Sequence, residues 1–226
     1  MFFRHDYSTP GPGIQKDAPE KTGVARFVEI LQLECVTLFQ LNLLFLLTCL
    51  PVITIPLALF ALNQVIRRMV MDQPVLCLHH YKTGLLRHWR QAYAAFLLTA
   101  LPALCAGWGA WFYLDRAVGN PLFFLPFMLC STVFLAVLLS SCHLYGLLGA
   151  GRGVRESFRL ALLLGLGRPL RAVLAALCWY GSLFTAVMAF PLSGAYLLLI
   201  GFSVPCLLGN FFLRTVLKPY CPPVSE

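Results

Sequence analysis

Apolar residues in this chain gather into long blocks of roughly bilayer-crossing length, about 20 residues each, with polar residues confined to the stretches between them. Residues 1–24 are polar, and Pro10-Gly11-Pro12-Gly13 and Asp17-Ala18-Pro19-Glu20-Lys21 read as turns. A helix is predicted to begin near Thr22. Residues 27–50 form the first apolar block, interrupted by Glu29, Gln32, Glu34, Gln40 and Asn42. Pro51-Val52-Ile53-Thr54-Ile55-Pro56 follows, and then an apolar run reaches Arg67-Arg68. This region is either one long kinked span or two spans joined by a tight proline turn. The later blocks are simpler: 93–114, 121–148, 170–190 and 195–216, with polar turns at 115–120 and 191–194.

A repeated frame bears on the ambiguous start. Gly84-Leu85-Leu86-Arg87-His88-Trp89-Arg90 leads into Gln91-Ala92-Tyr93-Ala94-Ala95, and 81 residues later Gly165-Leu166-Gly167-Arg168-Pro169-Leu170-Arg171 leads into Ala172-Val173-Leu174-Ala175-Ala176. Both follow G-L-x-R-x-x-R-x-x-x-A-A, and each precedes a long apolar run. The same shift carries 51–66 onto 132–147, a clear span, which favours a separate helix over 51–71 and hence the hairpin. The expected fold class is all-α: a polytopic transmembrane helix bundle of six spans, or five if 27–71 is one kinked span, with a parallel internal repeat offset by 81 residues. One transmembrane domain occupies 25–218, and 219–226 is a C-terminal tail.

Charge orients the bundle. Ten of the seventeen lysines and arginines lie in 67–90 and 152–171, and the intervening loops hold Arg116 alone. The basic segments at 67–90 and 149–171 and the C-terminus are therefore expected in the cytoplasm. The hairpin places the N-terminus there too, whereas a single long first span places it outside. Arg152, Arg155, Glu156 and Arg159 recur at helical spacing, as in a short helix lying on the interface with its arginines among the headgroups. A net charge of +8 could suggest nucleic acid, but the clustering fits membrane orientation, and no nucleic-acid partner is expected. Only 12% of residues are charged and 59% are hydrophobic, with mean hydropathy +0.78. A soluble surface needs about twice that charge. No cleavable signal peptide is expected, because Met1-Phe2-Phe3-Arg4-His5-Asp6-Tyr7 runs into polar, proline-rich sequence.

Candidate chemistry is sparse. Nine cysteines lie mostly within apolar runs and form no C-x-x-C, so they are expected to pack rather than bind metal. Glu29 and Glu34 are the acidic residues in the first block. The span centres lack Asp, Glu, Lys and Arg, which disfavours a proton-coupled pump. His79, His80, His88 and His143 lack a carboxylate at metal-ligand spacing, and no G-x-S-x-G or G-x-x-x-x-G-K frame is present. No enzyme and no cofactor are expected. Asn42, Asn63 and Asn210 are buried-amide candidates, either bonding helix to helix or, with Glu34, lining a polar pocket. The candidate contacts for anionic headgroups or a partner are Arg67, Arg68, Arg87, Arg90, Arg155, Arg159, Arg168 and Arg171.

Phe2-Phe3 through Tyr7, Pro10-Gly11-Pro12-Gly13-Ile14, Asn42-Leu43-Leu44-Phe45 and Leu50-Pro51-Val52-Ile53-Thr54-Ile55-Pro56 together resemble the YesL-like family of bacterial integral membrane proteins. The resemblance covers most of the first 95 residues and continues afterwards mainly as hydrophobic layout. It implies a Gram-positive cytoplasmic-membrane protein. Members often occur beside carbohydrate-uptake genes, which implies an accessory or regulatory role with a sugar transporter or a cytosolic subunit as partner. It assigns no catalytic or binding residues. The rival expectation is a small solute transporter, or a substrate-binding membrane subunit, with its pocket in the bundle.

Overall fold

The computed structural model describes residues 23–148 and 153–217; the polar segment through residue 22, Arg152, Lys218 and the tail at 219–226 lie outside the described residues. Among the described residues the chain is helical, with no strand. In order, the α-helices are α1 Val24–Leu33, α2 Cys35–Cys49, α3 Ile55–Val70, α4 Cys77–Arg87, α5 Trp89–Ala117, α6 Phe124–Leu148, α7 Val154–Gly167, α8 Pro169–Ala176, α9 Ser182–Met188, α10 Gly194–Leu199 and α11 Ser203–Leu217. Short 3₁₀ turns at Val52–Thr54 and Pro121–Phe123 lead into α3 and α6, and a π-helical segment, Leu177–Gly181, joins α8 to α9. Local chemistry explains several boundaries. Pro169 opens α8, where its missing N–H costs nothing. Asn120 accepts a hydrogen bond from the Leu122 N–H and caps the turn before α6. Arg67 and Arg68 occupy the last turn of α3, where cations complement the helix dipole.

Four helical stretches are long and apolar enough to cross a membrane: Val52–Val70, Trp89–Ala117, Pro121–Leu148 and Pro169–Met188. A fifth arises if α1 and α2, bent by 72° at Glu34, count as one broken span. The expectation of six spans counted 51–71 and 195–216 as complete crossings. The second of these is divided between α10 and the 15-residue α11; α11 alone, about 22 Å, is short of a hydrocarbon core about 30 Å thick, so only the two pieces together reach across. On α5 an outer stripe of Leu97, Leu101, Leu104, Trp108 and Trp111 is exposed at helical spacing. Such a stripe is costly in water and at ease in lipid. By contrast, 56% of the apolar window of Val52–Val70 is buried inside the protein, against 17%, 11% and 17% for the other three stretches.

Two apolar clusters hold the helices together. One joins α2, α3 and α4 to the start of α11 through Leu38, Leu41, Leu62, Ile66 and Leu207. The other gathers Phe60, Ala92, Ala95, Leu144, Leu147 and Leu217 where α3, α5, α6 and α11 meet. Glycines permit the closest approaches. A Cβ at Gly84 of α4 would stand 3.2 Å from the Ala61 Cα on α3 and nearer still to Gln64 Oε1. A Cβ at Gly165 of α7 would stand 3.4 Å from the Ser140 backbone nitrogen on α6. These glycines hold the same position in the repeated frame.

Two polar nodes tie distant segments. Asn42, fully buried on α2, spans the break between α10 and α11. Its Nδ2 donates to the Leu197 and Leu198 carbonyls at 2.9 and 2.7 Å, and its Oδ1 accepts from the Phe202 and Ser203 N–H groups at 3.0 and 3.3 Å. One side chain thus supplies the partners that a continuous helix would have provided. Asp72, in the left-handed region at φ 58, accepts from Arg26 of α1 at 2.6 Å and Arg214 of α11 at 2.5 Å. Arg26 also bonds Glu29 at 2.7 Å, and the Asp72 bond, with help from Glu29, holds its guanidinium above the ordinary arginine value.

Replacing Asn42 by leucine keeps the branched shape and strands four backbone groups at the α10–α11 break. N42L is expected to lose about 2–4 kcal/mol, and N42D, which cannot donate, to lose a comparable share; thermal denaturation in detergent reads both. G84V is expected to lose about 1–3 kcal/mol by overpacking in the same assay, whereas G167A, with nothing within 4 Å of its Cβ, should melt like the parent.

Candidate functional site: an amide-edged cavity

A cavity of about 480 Å³ lies where α2 and α3 meet α5, α6, the α8–α9 helix and α11. Each wall is made by the inward face of a helix. Ile55, Leu59 and Asn63 recur at i, i+4 and i+8 on α3, and Phe96, Thr99, Ala100 and Ala103 do the same work on α5. Alpha-helix six contributes Val137, Leu138, Ser141 and Tyr145, and α11 contributes Cys206, Gly209, Asn210 and Leu213. Trp179 and Tyr180 enter from the π-helical segment. Such segments insert one extra residue into a helix and re-aim its side chains, often at functional sites.

The lining is mostly hydrocarbon, and its hydroxyls are already occupied. Thr99 Oγ1 donates back to the Ala95 and Phe96 carbonyls at 3.0 and 3.1 Å. Ser141 Oγ lies 2.6 Å from both the Leu138 carbonyl and the Tyr180 hydroxyl. The exception is an amide cluster. Asn63 Nδ2 donates to the Leu59 carbonyl at 2.9 Å, and Asn63 Oδ1 accepts from Cys206 Sγ at 3.3 Å and Asn210 Nδ2 at 3.2 Å. Asn210 Nδ2 also donates to the Cys206 carbonyl at 2.9 Å. That leaves Asn210 Oδ1, on a side chain only 6% exposed, as a buried acceptor with no hydrogen-bond partner. Such an atom costs about 1–3 kcal/mol, an outlay a donating ligand would offset.

The structure brings Asn63 and Asn210 together on the cavity wall and leaves Asn42 and Glu34 out of it. Asn42 is engaged by the α10–α11 break, and Glu34 stands half-buried between α1 and α2. The cavity residues that pattern reading passed over are Thr99, Ser141, Tyr180 and the π-helical segment; their signal is a hydroxyl on the inward face of an apolar helix, which many structural residues share.

The arginines divide into two groups. Arg67 is buried, at 3% exposure, and Arg68 is half-buried with Nη1 3.0 Å from His80 Nε2. Both belong to the packing of α3 and α4. Arg87 and Arg90 flank the α4–α5 junction, Arg168 and Arg171 flank α7–α8, and Arg155 and Arg159 lie on α7; all six are exposed, with Arg171 also donating to Thr215 Oγ1. Among the described residues no group of three His, Cys, Asp or Glu side chains is placed to hold a metal ion.

No curated protein and no solved structure matches the chain. Residues 38–109, about a third of the length, match the family described as "Protein of unknown function, DUF624". That stretch runs from α2 into α5, and it contains the helical hairpin, Asn63 and the first of the two basic junctions.

Proposed function

We propose that this chain is a non-enzymatic, YesL-like integral protein of the bacterial cytoplasmic membrane. It holds a small, uncharged and largely apolar ligand in the cavity and serves carbohydrate uptake as an accessory or regulatory component. The observation that carries the reading is the Asn63–Asn210 pair, with its unpartnered acceptor, set in a cavity whose other polar groups are engaged. A volume of about 480 Å³ falls in the range of small-molecule sites, about 300–1,000 Å³. A sugar would bring several hydroxyls to this wall and leave most of them unpaired, at about 1–3 kcal/mol each. The cavity therefore suits a ligand with one or two donors on an apolar body better than it suits the transported sugar. This favours the accessory role over the alternative, a solute transporter with this cavity on its permeation path.

The exposed arginines at the α4–α5 and α7–α8 junctions support an orientation with the basic end and both termini on the cytoplasmic side. Gly84 and Gly165, making the same kind of close helix contact at equivalent positions, support the internal repeat. The exposed group Arg87, Arg90, Arg155, Arg159, Arg168 and Arg171 is available to anionic headgroups or to a cytosolic subunit.

The cavity is tested in nanodiscs with two probes, 1-monocaprin and glucose. Monocaprin is expected to raise the melting temperature and to be retained in native mass spectrometry, and N210L to abolish both effects. Stabilisation by glucose alone would overturn the reading and favour a sugar carrier. The arginines are tested by melting in phosphatidylglycerol against phosphatidylcholine nanodiscs. Reversing Arg87, Arg90, Arg155 and Arg159 to glutamate should remove most of the phosphatidylglycerol preference, at about 1 kcal/mol per residue.

A further inference from the structure

The turn between α2 and α3 is apolar, exposed and held close to the basic end of the bundle. Leu50, Val52 and Ile53 are 79%, 75% and 77% exposed. Ile53 offers its carbonyl to the Tyr93 hydroxyl at 2.7 Å, and Tyr93 lies in the second turn of α5. Seven residues further along, the Phe60 ring stands 5.8 Å from the His88 ring, just before α5 begins. From Tyr93 to the far end of α5 at Ala117 is about 36 Å of helix. Side chains of a helix lean toward its N-terminus, so the Tyr93 hydroxyl points away from that far end. One tyrosine and one hydrogen bond leave the turn on the order of 25 Å short of it. Length agrees for α2, whose 15 residues make about 22 Å against a core of about 30 Å; the stretch Val52–Val70 is long enough to cross, so for α3 the placement rests on the Ile53–Tyr93 bond.

Several backbone groups of the turn are also paired within the protein. Pro51 and Pro56 bring no N–H groups. The Thr54 N–H and hydroxyl both bond the Pro51 carbonyl, at 2.9 and 2.6 Å, and that hydroxyl also meets the Thr48 carbonyl. The Val52 carbonyl accepts from the Ile55 N–H, and the Ile53 carbonyl from Tyr93. Non-helical backbone at membrane depth survives only where its groups find partners within the protein, and these carbonyls have them.

We infer that α2–α3 is a re-entrant hairpin, which enters and leaves on the basic side and sets Leu50–Ile53 among the acyl chains of that leaflet. The occupant of the exposed tip is lipid hydrocarbon, because the tip continues the apolar surface that α5 presents through Leu97 and Leu101. The full crossings are then α5, α6, α8–α9 and the broken α10–α11, four in number, with both ends of the described chain on one side. The inference rests on the membrane reading and is independent of the ligand in the cavity.

The test is thiol labelling of V52C and, separately, L50C in sealed right-side-out and inverted membrane vesicles, using a charged maleimide and subtracting the parent signal. G119C, in the open turn between α5 and α6, is the comparison. Thiolate is the reactive form and does not form in hydrocarbon. V52C and L50C should stay unlabelled from either side and react only after detergent is added, while G119C labels from the external side alone. Labelling of V52C or L50C from the external side makes α2 and α3 full crossings and overturns the hairpin. Labelling from the basic side places the tip in water and overturns it equally. Labelling of G119C from both sides would refute the membrane reading, and the hairpin with it.

Discussion

Peptide groups removed from water must find partners within the protein, and this requirement organises the molecule. An unbroken helix meets it by itself, so α5 and α6 need little help. Wherever the helix stops within an apolar stretch, a side chain supplies the bonds. Asn42 does so for the α10–α11 break with two donors and two acceptors. Thr54 and Tyr93 do so for the proline turn. Asn210 follows the same rule in part, and its one acceptor without a partner marks the cavity.

Hydropathy identifies the elements whose bonds are internal. The block at 121–148 coincides with the stretch from Pro121 to Leu148, 93–114 lies within α5, 170–190 nearly coincides with the stretch from Pro169 to Met188, and the arginine-spaced segment is α7. The elements that depend on a distant residue are invisible to it. In Leu198-Leu199-Ile200-Gly201-Phe202 only Gly201 hints at the break, where a Cβ would stand 2.5 Å from the Leu197 Cα, and the amide that accommodates it lies more than 150 positions earlier. The π-helical segment is equally silent, because nothing in Leu177-Cys178-Trp179-Tyr180-Gly181 distinguishes an inserted residue from an α-helical turn. For the cavity, the residue types were legible in Asn63 and Asn210. Which amides meet, and which are already engaged, is decided by the way α3 lies against α11.

The basic end and the cavity are built from the same helices. Alpha-helix three carries Asn63 on the cavity and, one turn later, Arg67 buried in the packing beneath it. Alpha-helix eleven carries Asn210 and, one turn later, Arg214 on Asp72. Asp72 in turn holds Arg26 of α1. Alpha-helix eleven and the N-terminal helix are thus joined by a shared carboxylate and by the Phe27 ring standing edge-on to Phe211 at 5.5 Å.

The length of the α5–α6 pair has a mechanical consequence. The apolar part of α5, residues 91–114, extends about 36 Å, and the α6 stretch is longer still. A bilayer core of about 30 Å cannot cover either helix standing upright. The two are locked to each other where a Cβ at Gly107 would meet the Phe134 ring at 3.2 Å and one at Gly109 would meet Cys130 Sγ at 3.0 Å. In a bilayer they would accommodate the surplus together, leaning as a pair or thickening the lipid around them, and membrane thickness would become a variable that sets how such a pair sits.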